Sequence, residues 1–261
     1  MPDDLQGVKA QAANANRVLA LAGMAEGVLA SLGHASVRVP GAPDQFVTKG
    51  RGYAVDALAL MQPEDMVVCD LEANLIEGPP GISQVSEVML HACILRAYPE
   101  VGAVVHVHPR FATVASLLGG DLVPMCNEGN VLVRDPLPLY PRSHLIVTEE
   151  DGMAVAEYLG VGRAMLLRGH GAITVGASLE DAVVSMLELE EQAKMNWYAR
   201  CAAGPGHPHL SGEDVDDWVA SSRMRGRLPH FKQEHGPTSA RTQAQSGLWA
   251  YLSQLAELPG A

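Results

Sequence analysis

The sequence predicts an α/β protein, and three observations carry that prediction. Leu5, Val8, Ala12, Ala15, Leu19 and Ala22 recur at helical intervals across residues 4–23, with Gly23 at the stop. Short apolar runs such as Met66-Val67-Val68-Cys69 and Val104-Val105-His106-Val107-His108 read as strands. From Ser178 onward, Leu179, Val183, Met186, Leu187, Ala193 and Trp197 form one long stripe that must face a core, with Glu190 its single uncomfortable member.

Composition sets the outer bounds. A chain of 261 residues, 48% hydrophobic, can bury a sizeable core. Its formal net charge of −12 argues against nucleic-acid backbone or anionic membrane as partners, because both call for basic patches. Cys69, Cys93, Cys126 and Cys201 are scattered without CxxC spacing and read as reduced thiols. No run approaches eighteen apolar residues, and the N-terminus lacks the basic-then-apolar order of a signal peptide, so a cytoplasmic location is expected.

The remaining elements follow in chain order. A short helix is expected around 24–32, then a strand from Gly33-His34-Ala35-Ser36 to Val39 and another across 65–71. The stretch Lys49-Gly50-Arg51-Gly52 reads as a glycine-flanked charged turn. Gly78-Pro79-Pro80-Gly81 makes a rigid turn into a helix with Ser83 as N-cap, apolar at Val85, Met89, Ala92 and Leu95, ending at Tyr98-Pro99. A helix runs from Arg110 and Phe111 through Leu118 to Gly119-Gly120. The proline-rich run 135–141 is an extended linker before a strand at 144–147, and Thr148 caps a helix over 149–159. The long helix from Ser178 stops at Gly204-Pro205-Gly206, which divides a catalytic domain (1–205) from a C-terminal extension (206–261). That extension holds a weak segment with the basic run 223–227, then a terminal helix over 241–257 expected to dock on this domain or on a neighbouring subunit.

The chemistry lies between Ser83 and Gly171. In a strand, side chains two apart share a face, so His106 and His108 point one way and one ion can take both. Alone, the pair equally suits the solvated face of an edge strand closed by Pro109. A third imidazole, His170 within Leu166-Leu167-Arg168-Gly169-His170-Gly171, turns it into a metal site with positions left open for water or substrate. Glu87, near the start of its helix, either complements the helix dipole or moves a proton beside that metal. His144 reads as structural, and the proline between His207 and His209 disfavours a second site there.

The segment SEVMLHACILRAYPEVGAVVHVHP, followed about sixty residues later by LLRGHG, resembles the class II aldolase/adducin family, and EGVLASLGHASVRVPG is similar to its N-terminal signature. That resemblance covers roughly residues 10–200. It implies a three-layer α/β/α fold around a central, mainly antiparallel sheet, a homotetramer with active sites between subunits, and one divalent ion per subunit, Zn²⁺ or Mn²⁺, on His106, His108 and His170. The family's glutamate matching Glu87 is the acid/base and can also ligate the metal.

Departures from the sugar-phosphate members narrow the expected substrate. Gly33-His34 stands where those members carry Gly-Asn, and GHxSVR is similar to the pattern of the family's decarboxylases acting on hydroxylated aromatic or pyridine carboxylates. Lys49 and Arg51 stand near their phosphate loop, and Val85-Ser86-Glu87 keeps one of two serines. The stretch Met125-Cys126-Asn127-Glu128-Gly129 lacks the acid-donating tyrosine of the aldolases. The expectation is a carbon–carbon lyase, a metal-dependent decarboxylase of a small carboxylate, with His34, Ser36, Lys49, Arg51, Ser86 and Arg110 meeting the substrate. Its rivals are a retro-aldolase and a non-catalytic adducin-like interaction protein.

Overall fold

The computed structural model describes residues 4–225, 228 and 240–258, and the expected alternation of helices and strands is present in it. Helix α1 (Leu5–Leu21) is capped by the Asp4 carboxylate, which accepts from Gly7 N at 2.7 Å, and it buries Val8, Ala12, Ala15, Val18 and Leu19. The strands are β1 (His34–Val39), β2 (Ala42–Arg51), β3 (Met66–Asp70), β4 (Leu75–Glu77), β5 (Ser83–Gln84), β6 (Ala103–Val107), β7 (Leu139–Tyr140), β8 (Ala164–Leu167) and β9 (Gly171–Gly176). The further helices are α2 (Val88–Ala97), α3 (Arg110–Leu117), α4 (Glu149–Leu159), α5 (Leu179–Ala203), α6 (Gly212–Arg225) and α7 (Ala240–Ala256).

The strands form one sheet in the order β4-β3-β2-β1-β6-β9-β8-β7, with β5 added to β2. All pairings are antiparallel except β7 with β8. Period-two alternation sends side chains to two separate cores. Ala35, Val37, Val105 and Val107 pack with α1, α3 and α5 on one face. Val104, Met165, Leu167 and Ile173 pack with α2 and α4 on the other. The three-layer α/β/α arrangement is therefore as the sequence led us to expect.

Several local expectations are corrected. The histidine strand β6 lies between β1 and β9, well inside the sheet. No strand forms at 144–147; the strand lies within the proline run instead, where Leu139 and Tyr140 pair with Leu166 and Leu167. Residues 49–51 are no exposed turn, since β2 runs through them to Arg51. Ser83 sits in β5, paired with Arg51, and α2 begins later with Glu87 at its cap position. The short helix near residue 28 is a single 3₁₀ turn, Gly27–Leu29. Helix α6 was not anticipated, and residues 226–227 of the basic run lie outside the described residues.

Glu190 turns out to be satisfied. Its carboxylate accepts from the backbone N–H groups of Phe111 and Ala112, each at 2.9 Å, and so caps the first turn of α3 from a distance. Trp249 and Leu252 of α7 pack on the core beneath α1, and Asn14 Nδ2 donates to Ser253 Oγ at 2.8 Å.

Candidate metal centre

His106 is fully buried at the end of β6, and His108 follows one residue past the strand. Their Nε2 atoms are 3.3 Å apart. The antiparallel pairing of β6 with β9 puts the β8–β9 turn beside them, and that turn carries His170. Gly171 makes this approach possible: a Cβ there would collide with the carbonyl of Val107 and come within 3.0 Å of the His108 ring. Gly33 does the same on the other side, where φ is +86° and a Cβ would meet the His106 carbonyl at 2.8 Å.

Glu87 completes the set from the N-terminus of α2. Its Oε1 accepts from Ile146 N at 2.9 Å, and Oε2 lies 3.4 Å from His106 Nε2 and 3.5 Å from His170 Nε2. Ligand atoms of Glu87, His106, His108 and His170 all fall within 4.8 Å of one another, and among the described residues no other such group converges. Burial pushes the Glu87 carboxyl up, but its polar contacts with His106 and His170 and the Ile146 N–H outweigh that and hold it well below the usual carboxylate range.

Three observations test whether a cation fits. His106 Nδ1 lies 3.0 Å from the Ala172 carbonyl, so Nδ1 carries the proton and Nε2 offers a lone pair to the centre. Both ring nitrogens of His170 are buried, and beyond the 3.5 Å approach of Glu87 Oε2 to Nε2 neither has a hydrogen-bond partner among the described residues, an arrangement that is costly unless a ligand takes one. Burial, reinforced by the neighbouring imidazoles, lowers His108 to about 3, so it too is neutral and able to ligate. The donor set fits one divalent ion.

The expected substrate residues are placed less uniformly. His34 is in register with His106 on the adjacent strand, with its ring 5.6 Å from the His106 ring, and lies at the edge of the ligand set. Ser36 is buried behind it. Lys49 is fully buried and ion-paired with Asp56, and Arg51 donates to the Ser31 carbonyl at 3.3 Å. Ser86 is exposed in the turn before α2, and Arg110 is exposed 3.4 Å from Glu26. His144 pairs with Asp151 at 2.9 Å and is not among the converging ligand residues. Sequence reasoning missed His91, which lies one helical turn beyond Glu87; the Glu-x-x-x-His spacing was its only signal. The Ile146 N–H and the Ala172 carbonyl left no signal at all, because every residue has them.

Fold and site together define an α/β protein with one cluster, among the described residues, that could hold a metal ion. The chain belongs to the family described as Class II Aldolase and Adducin N-terminal domain, whose model matches residues 10–197. It is 31% identical over 224 residues to a 3,4-dihydroxyphthalate decarboxylase of Rhodococcus jostii (strain RHA1), covering 82% of this chain and 88% of that one. It is 28% identical over 207 residues to the L-ribulose-5-phosphate 4-epimerase UlaF of Salmonella paratyphi C (strain RKS4594), covering 74% and 81%. Its fold matches an aldolase II superfamily protein from Pseudomonas syringae with a TM-score of 0.79 at 19% identity, over 98% of this chain and 94% of that one. The protein is accordingly a carbon–carbon lyase. Among the described residues no helix is long and apolar enough to cross a membrane.

Proposed function

We propose that this protein is a metal-dependent decarboxylase of a hydroxylated aromatic or heteroaromatic carboxylate. The observation that carries the reading is the ligand set of three histidines with the Glu87 carboxylate, found in a chain whose relatives include a decarboxylase of that substrate class. Held by His106, His108, His170 and Glu87, Zn²⁺ or Mn²⁺ would supply Lewis acidity for negative charge on the substrate's ring oxygen.

The chain's residues move the proton. Because Oε1 of Glu87 is tied to the Ile146 N–H, Oε2 keeps a fixed aim. Held as a carboxylate, it takes the proton of the ring hydroxyl and returns it to the carbon bearing the leaving carboxylate. The carbon–carbon bond then breaks, its electron pair stays with the ring, CO₂ departs, and the product oxygen regains a proton from solvent. His34, Arg51, Ser86 and Arg110 are the groups we assign to the substrate's anionic side, the cations by charge and the others by hydrogen bonding, with Lys49 engaged by Asp56 and Ser36 by His91. A homotetramer with sites between subunits and a cytoplasmic location complete the reading.

CO₂ release from a panel of ortho-hydroxy aromatic carboxylates, including 3,4-dihydroxyphthalate, tests it. Aldehyde released from a sugar phosphate, with no CO₂ from any panel member, would establish the retro-aldolase instead. Purified protein that binds no divalent ion and turns over neither class would leave the adducin-like interaction protein.

A further inference from the structure

His91 is fully buried on α2, and both of its ring nitrogens are engaged. Nε2 lies 2.6 Å from Nδ1 of His34, and Nδ1 lies 2.6 Å from Oγ of Ser36. The Ser36 end sets the direction of these bonds. Its hydroxyl has two acceptors in reach, His91 Nδ1 at 2.6 Å and the Val104 carbonyl at 3.4 Å. The nearer takes the proton, since hydroxyl donors bond best at about 2.7–2.8 Å and weaken with distance.

His91 Nδ1 is therefore an acceptor. Neither nitrogen of that ring meets a carboxylate, and an unpaired imidazolium in a dry interior is costly, so the ring is neutral and carries its one proton on Nε2. That proton is donated to Nδ1 of His34. His34 in turn must keep its own proton on Nε2, which makes no hydrogen bond among the described residues. The polarity runs from Ser36 through His91 to the outer nitrogen of His34.

We propose that Ser36 and His91 are positioning residues that lock His34 as its Nε2–H tautomer, so that it presents a fixed hydrogen-bond donor, beside the metal ligands, to a carboxylate oxygen of the substrate. The substrate class rests on the decarboxylase reading above; the relay itself does not. A histidine without such backing exchanges tautomers and for part of the time turns a lone pair toward the anion. Ser36 then acts through His91, two bonds removed from anything the substrate touches.

The relay is read directly by long-range ¹H–¹⁵N spectra of the full chain labelled at histidine and free of metal. The expected result is a protonated Nε2 and a bare Nδ1 on both His34 and His91, with Ser36→Ala producing a tautomer mixture at His34. A bare Nε2 on His34 in the unmodified protein overturns the proposal. In turnover of an ortho-hydroxy carboxylate, His91→Leu should raise KM about tenfold while lowering kcat less, and His91→Gln, whose amide can still donate to His34, should return KM to within about threefold. An unchanged KM in His91→Leu also overturns it. If the unmodified protein releases no CO₂ from any panel member, the decarboxylase reading alone fails, and the spectrum still decides the relay.

Discussion

Glu87 is held at one oxygen by the Ile146 N–H and leaves the other beside His106 and His170. Replacing it by glutamine keeps the shape and the acceptor for Ile146 but removes the base. Glu87→Gln should therefore lower kcat by roughly 10²- to 10⁴-fold while still binding a divalent ion, measurable by elemental analysis alongside CO₂ release; full turnover with bound metal would remove Glu87 from the mechanism. The buried histidines also set a pH dependence. His91 and His108 are both lowered from 6.5 to about 3, by burial first and then by neighbouring imidazoles. Between those values the unfolded chain binds more protons than the folded one, so their contribution is intact above about pH 6.5 and is lost as the pH falls toward 3. Glu87, also held below its ordinary 4.5, adds to the loss at the acid end. Urea midpoints of the metal-free protein should fall steadily from neutral pH to about pH 4, and a flat profile would contradict the neutral buried rings.

At the level of elements, the centre depends on how closely β9 approaches β6. Gly171→Ala puts a methyl group against the Val107 carbonyl and the His108 ring, so the strands must separate and the ligands with them. The expected outcome is at least a tenfold weaker metal affinity together with a lower Tm, followed by metal titration and thermal melting; unchanged affinity would mean the turn carrying His170 adapts freely. Glu190 holds two elements together by a different means, since its carboxylate satisfies two orphan N–H groups at the start of α3. Glu190→Ala should cost about 1–3 kcal/mol of stability, read from chemical denaturation, because those donors lose their protein acceptor. A loss confined to a few tenths of a kcal/mol would show that water replaces it.

For the whole molecule, a ligand that binds only the folded state stabilises it by mass action. Added Zn²⁺ or Mn²⁺ at about a hundred times its Kd should raise Tm by roughly 5–10 °C, and the shift should vanish in His170→Ala. An equal shift in that variant would place the ion elsewhere. The sequence by itself determined what depends on local spacing. The stripe of α1 and the shared face of His106 and His108 follow from periods of 3.6 and 2, and the Thr148 cap from a hydroxyl placed just before its helix, all of which belong to the chain and not to its surroundings. Ligand type and count singled out His170, and resemblance over the chain's separated motifs added the sheet's architecture. Tertiary structure alone decided which strands became neighbours, and with them the capture of Glu87 by Ile146, the tautomer of His106 set by Ala172, the pairing of Lys49 with Asp56 and the buried line from Ser36 to His34. Apart from Lys49 and Asp56, seven positions from each other, these contacts join residues tens of positions apart, often through backbone groups common to the whole chain, so only the folded chain distinguishes the ones that meet.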